Sequence, residues 1–304
     1  MIARWGVFYG RCLLTEKKFH VSDGNIRLDR FLHGCTGFSR RVLKESIQNS
    51  LVSVNNRVVV KPSFLLSPDD LVVFDYHVSE DEDVSWEDYR IEYMFEDEDL
   101  VVLYKPCGLL VHSSEGLREK TLIDYVRRDG ISLYCQEGLQ FRSGLVHRLD
   151  RMTEGLMVLV KTEEASQSLT EQFKQRTIEK GYVAMVKGNM QNDEIDIDQP
   201  IARHNIHDHR FCVSKGGKPS FSRVEVLKRY NSKTLCRVIP KTGRTHQIRV
   251  HLSFVGHPVL GDSVYGDASQ RKGQLLQSYF LGFTHPRSMD RMRFSTAISE
   301  RILS

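Results

Sequence analysis

Hydrophobic and polar positions change period several times along this chain. Leu28, Phe31 and Leu32 recur at helical spacing. Val42, Leu43 and Ile47 form one face of a second predicted helix, which Ser39 is placed to cap and which runs to Gln48. Short β-rich pieces follow at Leu51–Val54, Arg57–Val60 and Leu71–Phe74. Asn55-Asn56 between the first two suits a tight hairpin turn, because Asn tolerates positive φ. Further on, Asp99–Tyr104 and Leu156–Lys161 read as buried strands, and Tyr182–Lys187 alternates. A helix is predicted over Glu163–Arg176, capped by Thr162, with Ala165, Leu169 and Phe173 in one stripe. After a polar loop, strands are expected around Ser222–Leu227 and Leu235–Pro240. Thr245 is then placed to cap a helix over His246–Val255, closed by Gly256. On that helix Ile248, Leu252 and Val255 form the apolar face, and His246, Arg249 and Ser253 lie on another. Strands and helices mix without a regular β-α-β alternation, which predicts an α+β fold and not a doubly wound sheet.

At 304 residues the chain has room for about two domains. The stretch Ser79–Asp88 has no apolar period and reads as a linker. We therefore expect a front domain over residues 24–76, an acidic linker over 77–89 and a second domain over 90–298. The net charge of +4 becomes informative once divided. Residues 1–76 carry 11 basic against 7 acidic side chains, residues 77–100 carry 1 against 11, and residues 201–251 carry 12 against 2. Two basic blocks flanking an acidic segment point to a polyanionic partner. Apolar runs are far too short to cross a bilayer and no secretory leader is legible, so no membrane association is expected. The six cysteines are scattered, which suits a reducing compartment and excludes a zinc ribbon or disulfide framework.

Three segments concentrate chemistry: Gly144–Arg151, Glu179–Gly188 and Thr242–His251. Asp150 is a lone carboxylate among cations. A neighbouring Arg keeps such a group ionised, and an ionised carboxylate held still can act as a nucleophile. A salt-bridged turn is the competing reading. No second carboxylate sits close enough in sequence to suggest a paired-acid glycosidase, and no phosphate-binding Gly-rich loop precedes a Lys-Ser/Thr pair. His204, His207 and His209 invite a metal site or a metal-dependent nuclease. Arg203 and Arg210 oppose a bound cation, however, and no clustered carboxylates accompany the histidines.

These segments resemble the RluA family of RNA pseudouridine synthases. His147-Arg-Leu-Asp150 is similar to that family's signature around its catalytic aspartate, and Gly243–His251 to its later basic motif. Asp97–Gly108 resembles the strand and Lys-Pro turn that open the catalytic domain, and His257–Gly266 the stretch after the basic helix. Residues 24–76 resemble an S4-like RNA-binding domain. The chain departs from the pattern at Met152, Glu154, Ser50 and Asn56, the last two standing where Gly is common, and at Leu276–Tyr279.

The resemblance implies a catalytic domain on a central mixed, largely antiparallel sheet. It implies isomerisation of specific uridines, most of all in large-subunit ribosomal RNA as in the RluD-type and RluC-type members. Asp150, Tyr182 and Arg249 would be catalytic. Arg148 would fill the space of a flipped nucleotide, and His147, Arg151, Arg244, His246 and Gln247 would contact RNA. Arg27, Arg40, Arg41 and Lys44 would grip RNA in the front domain. Neither cofactor nor metal is called for, and a cytoplasmic monomer acting on structured RNA is expected. A non-catalytic rRNA-binding assembly factor and a synthase acting on tRNA stay open as alternatives.

Overall fold

The computed structural model describes residues 12–21, 24–36, 40–79, 89–112, 119–135, 143–204, 210–266 and 273–303. The chain divides into two compact units, the first comprising Met1–Glu87, His112–Lys120 and 136–141 and the second Asp88–Val111, Thr121–Cys135 and 142–304.

The first unit holds β1 (Cys12–His20), β2 (Ile26–Arg27), α1 (Leu28–Thr36), α2 (Arg40–Gln48), β3 (Val52–Val54), β4 (Arg57–Val58), β5 (Leu65–Leu66) and β6 (Leu71–Ser79). The strand order is β1-β6-β3-β4, with β2 and β5 paired separately. Leu28 and Leu32 of α1 and Leu43 and Ile47 of α2 are buried against Val52, Val72 and Phe74, so the helical periods meet on one sheet face. Asn55 and Asn56 adopt φ of 49° and 65°, the left-handed pair a two-residue hairpin turn requires. Ser50 also has φ 64°, so the chain keeps a glycine-like backbone at Ser50 and Asn56 without the glycines.

The structure corrects the expected boundaries of this unit. β1, with Glu16-Lys17-Lys18 at its centre, has no apolar alternation and was not expected. It pairs with β6 from His20↔Leu71 to Cys12↔Ser79, so β6 runs beyond Phe74 and residues 77–79 are strand, not linker. Ser39 and residues 80–88 lie outside the described residues.

The second unit comprises β7 (Glu92–Glu96), β8 (Leu100–Lys105), α3 (Leu122–Arg128), β9 (Glu154–Val160), α4 (Glu163–Gln175), β10 (Glu179–Lys187), β11 (Glu194–Asp198), β12 (Ile201–Arg203), β13 (Phe211–Val213), β14 (Phe221–Arg229), β15 (Lys233–Pro240), α5 (Gln247–Phe254), β16 (Leu276–Thr284), β17 (Arg291–Ser295) and α6 (Glu300–Leu303). Its central sheet runs β11-β14-β15-β10-β16-β9-β8-β7, with β17 also on β16. Every pairing is antiparallel except β9 with β16, so the fold is α+β on a mixed sheet.

Both faces of this sheet are covered. Along β8, Val101 and Leu103 enter one core with α3, while Leu100 and Val102 enter another beneath α4. Burying a Leu such as Leu169 of α4 contributes about 1.5–3 kcal/mol, which explains why a helix of ordinary propensity is held there. Thr162 caps α4 through the Ala165 N–H, as its sequence predicts. The unit also extends past residue 298: Ile302 is fully buried, and Arg301 pairs with Glu154 at 3.1 Å.

The parallel step depends on one residue. Gly155 has φ 123°, and a Cβ there would lie 2.2 Å from the Ser278 carbonyl oxygen. Ser278 pairs on its other side with Tyr182 of β10. Gly155→Ala is expected to cost about 3 kcal/mol or more, since the clash is with backbone and the φ is unsuited to a side chain. The check is chemical denaturation of the full chain, and a cost below ~1 kcal/mol would show that the β9–β16 contact yields easily.

Candidate active site

The loop carrying Asp150 is fixed from beneath. The Lys105 side chain is wholly buried, and its Nζ donates to the carbonyls of Pro106 (2.8 Å), Leu109 (2.8 Å) and Arg151 (2.9 Å). Three acceptors use all three ammonium protons. Burial pulls this amine down to about 7, while the charges of Cys107, Asp150 and Glu154 oppose the shift. The Gly108 N–H also donates to the Arg151 carbonyl, and the Thr153 N–H closes the turn on the Asp150 carbonyl. Along the loop, His147 and Leu149 turn inward. His147 Nε2 accepts the Val158 N–H at 3.0 Å and its ring stacks on Phe173. Burial and the nearby Lys180 charge pull its pKa down to about 3, so the ring is neutral. Arg148 is exposed, and Asp150 keeps partial exposure.

Arg249, on the first turns of α5, reaches two carboxylates at once. Nη1 donates to Asp150 at 2.7 Å, while Nε and Nη2 donate in a fork to Asp262 at 2.7 and 2.9 Å. Side-chain exposure is 6% for Arg249, 24% for Asp150 and 0% for Asp262, so the guanidinium is buried between a wet carboxylate and a dry one. Burial alone would raise the Asp262 carboxyl. The Arg249 fork, with the N–H groups of Val264 and Tyr265, outweighs burial and holds it below the usual carboxylate range. The Tyr265 ring covers the guanidinium at 5.1 Å.

Tyr265 also engages His246. Its hydroxyl oxygen accepts the Phe211 N–H at 2.8 Å and is hydrogen-bonded with His246 Nδ1 at 2.9 Å. His246 Nε2 faces Asp150 at 3.8 Å. Burial lowers the His246 pKa, opposed by Asp150 and supported by the Arg249 charge, which favours the neutral ring.

Asp150, Arg249 and His246 lie with Tyr182 in a cleft of about 600 Å³, rimmed by Arg148, Lys174, Arg176, Lys180, Lys241 and Arg244. The Tyr182 ring is half-buried between two cores. Burial, helped by the Asp150 charge, pushes its phenol up to about 12. At neutral pH it is thus a hydroxyl donor and an apolar platform, not a phenolate. The site combines a fixed carboxylate, an aromatic face and a basic rim, which suits covalent or electrostatic work on a nucleotide held by its phosphates.

A model of the family described as RNA pseudouridylate synthase matches residues 99–254. A protein of Aquifex aeolicus named an uncharacterized RNA pseudouridine synthase is 41% identical over 292 residues, covering 91% of this chain and 92% of its own length. This chain is an RNA pseudouridine synthase of the RluA family. Ribosomal large subunit pseudouridine synthase D of Nitrosomonas europaea is 35% identical over 261 residues, with 83% and 74% of the two chains covered. Among solved structures, the human RNA Pseudouridylate Synthase Domain Containing 1 shares the fold, at a TM-score of 0.58 and 24% identity over 68% of this chain and 83% of that one. Pseudouridine synthases are isomerases of uridine in RNA, and that is the enzyme class of this chain.

Against the expectations from sequence, the synthase cleft gathers Asp150, Tyr182, Arg249, Arg148, His147, Arg244 and His246. Gln247 lines the cleft as well. That side chain is buried: its oxygen accepts from the Thr242 hydroxyl and the Arg244 N–H, and its amide donates to the Phe221 carbonyl and Ser222 Oγ, so it also fastens the turn. The helix cap is corrected too. His246, in a left-handed conformation, precedes α5 and makes no side-chain cap, and Thr245 is not the cap residue. The Arg151 side chain is exposed and does not line the cleft; its carbonyl does the holding. In the first unit Arg27 is engaged by Asp29 at 2.7 Å and Lys44 is exposed, while the side chains of Arg40 and Arg41 on α2 lie outside the described residues. His207 and His209 also lie outside them.

Sequence reasoning missed Asp262, Tyr265, Lys105 and Lys180 as contributors. Asp262 and Tyr265 stand in the His257–Gly266 motif and Lys105 in the Lys-Pro turn, so the signal was a motif position without a partner. Among the described residues, Asp97, Asp99 and His285 form the grouping that could hold a cation. None of the three lines the cleft, and the Arg287 guanidinium already occupies both Asp99 oxygens.

Asp262→Asn tests the fork. With the carboxylate gone, Arg249 loses half of its counter-charge and the loop N–H groups lose a charged acceptor. A stability cost of about 3–5 kcal/mol at neutral pH is expected, with a fall in turnover of ~10-fold or more at saturating RNA as Asp150 loses its fixed position. Because the folded Asp262 pKa is depressed, its contribution is present above the ordinary carboxylate pKa and is lost as pH falls through the folded value. The variant should therefore lose less stability on acidification than the parent, as measured by melts at several pH values.

Proposed function

We propose that this synthase isomerises specific uridines of large-subunit ribosomal RNA, with Asp150 as the reacting carboxylate. The reading is carried by one observation. The partly exposed Asp150 is, among the described residues, the only carboxylate that lines a basic-rimmed cleft, and a buried Arg249, itself anchored by Asp262, holds it in place. The reaction breaks the bond from the ribose to N1, turns the base and joins the ribose to C5. The C5 proton leaves and N1 gains one, so atoms and charge balance without a co-substrate. Arg249 holds Asp150 in position, the Tyr182 ring faces the base and its hydroxyl serves proton transfer, and Arg148 fills the space vacated by the flipped nucleotide. The large-subunit target is supported by the likeness to the Nitrosomonas europaea enzyme, whose name states that substrate.

Asp150→Asn is expected to abolish pseudouridine formation while RNA affinity stays within about twofold, since removing a negative charge does not weaken binding to a polyanion. The measurement is turnover on a pre-folded stem-loop beside a binding titration, and activity above a few per cent of the parent would displace Asp150 from its role. Mapping pseudouridine in rRNA from cells with and without the protein tests the target; an unchanged rRNA map with a changed tRNA map would move the substrate.

The front part of the first unit is proposed as an S4-like RNA grip, supported by the net positive charge of residues 1–76 and exposed Arg30 and Lys44. Arg30→Glu with Lys44→Glu in the full chain is expected to weaken binding to large rRNA fragments and to lower the log–log salt slope by roughly 0.7–0.9 for each lost phosphate contact. Turnover on a short stem-loop should be unchanged. An unaltered rRNA affinity and slope would remove this surface from RNA binding.

A further inference from the structure

Lys180 stands two residues before Tyr182 on β10, so both side chains leave the same face of the sheet, and both line the cleft. Its Nζ makes one hydrogen bond, to the Thr242 carbonyl at 3.2 Å. The contrast with the other buried cations is sharp. Lys105 satisfies all three ammonium protons on carbonyls, and Arg249 spans two carboxylates. Among the described residues no carboxylate pairs with Lys180; its amine, lowered by burial, is pulled down to about 8. A desolvated ammonium with one acceptor has donors to spare and lacks a counter-charge.

The surroundings identify what is missing. His147 beside it is neutral, with one ring nitrogen engaged by the Val158 N–H. Arg176, Lys241 and Arg244 line the same cleft, and Asp150, the acid among its described lining residues, is engaged by Arg249 and is not paired with Lys180. A uracil carbonyl could accept a hydrogen bond but would leave the charge uncompensated. An anionic oxygen does both.

We propose that Lys180 binds a non-bridging oxygen of a phosphodiester flanking the uridine that enters the cleft, an inference that rests on the pseudouridine synthase reading. Lys180 then fixes the strand on one side of the cleft while the Arg249-held Asp150 meets the nucleoside. The subsite selects a nucleotide embedded in a chain over a free nucleoside.

The test uses a short pre-folded stem-loop with one target uridine, and two versions carrying a single neutral methylphosphonate, 5′ or 3′ of that uridine. Affinity is measured by fluorescence anisotropy for the parent, Lys180→Met and Lys180→Arg. Lys180→Met is expected to lose ~10-fold or more in affinity for the native RNA, as removal of a charge-assisted contact requires, with KM affected more than kcat. Lys180→Arg should keep most of the affinity. One of the two neutral linkages should cost the parent a similar factor and cost Lys180→Met nothing further. Equal losses for parent and Lys180→Met with both modified RNAs would overturn the proposal.

A second measurement needs no variant. Pulse acetylation of the parent, read at Lys180 by mass spectrometry, should be suppressed by native RNA and restored by the neutral linkage at the contacted position. Acetylation unaffected by any RNA would also overturn the proposal. Pseudouridine formation on the native stem-loop by the parent is scored separately, so failure of the activity reading and failure of the Lys180 contact are told apart.

Discussion

The Arg249 guanidinium joins two carboxylates that differ in their access to water, and the active site depends on that difference. Asp262 is fully buried and takes the two-pronged end; Asp150 is partly wet and takes the single remaining donor. A buried ion pair is a weak source of net stability, because desolvating its charges costs about as much as their attraction returns. Its use here is geometric. With both oxygens of Asp262 engaged, the plane of the guanidinium is fixed, and Asp150 is held by one hydrogen bond from a group that cannot rotate away. The triad carries a net negative charge. The neutral His246, hydrogen-bonded with Tyr265, stands beside Asp150 without adding a cation that would quench it.

The sheet brings these groups into register. Asp150 precedes β9, Tyr182 lies on β10, and β16 lies between those strands, meeting β9 at Gln277 and Ser278 and pairing with β10 beside them. Gly155 permits that approach because its φ and its missing side chain let two backbones come together. Lys105 holds the other side of the loop by its backbone. The reactive carboxylate thus sits on a loop, but on one tied to a strand end, a lysine and an arginine, which limits its motion to what a bound nucleotide can exploit.

Glu154 shows how a departure from the family pattern is absorbed. It is buried, yet Ser299 and Arg301 donate to it at 2.7 and 3.1 Å. The C-terminal segment therefore closes over the start of β9, and a carboxylate that would be costly alone is paid for by a guanidinium from residues beyond the expected domain end.

Local chemistry was legible in the sequence wherever the signal was periodic or short-range. The apolar stripes of α1, α2 and α4 showed which faces would be buried, Thr162 showed where α4 begins, and Asn55-Asn56 showed the hairpin, because these depend on residues within a turn or two. Asp150 was legible as a carboxylate among cations, and the motifs around it carried the family. The tertiary structure alone decided the rest. β1 forms because β6 offers it a partner, and no alternation in Cys12–His20 announces that. Asp262 lies 13 residues from Arg249 along the chain and Asp150 lies 99, and nothing local distinguishes an arginine that will be buried between them from one on a helix surface. Gln247 reads in the sequence as a polar contact for RNA, and only the fold shows that it also fastens its own turn. Lys105 and Lys180 look alike in the chain, and only the fold decides that one meets three carbonyls and the other meets one, because hydrogen-bond partners are set by segments far apart in sequence.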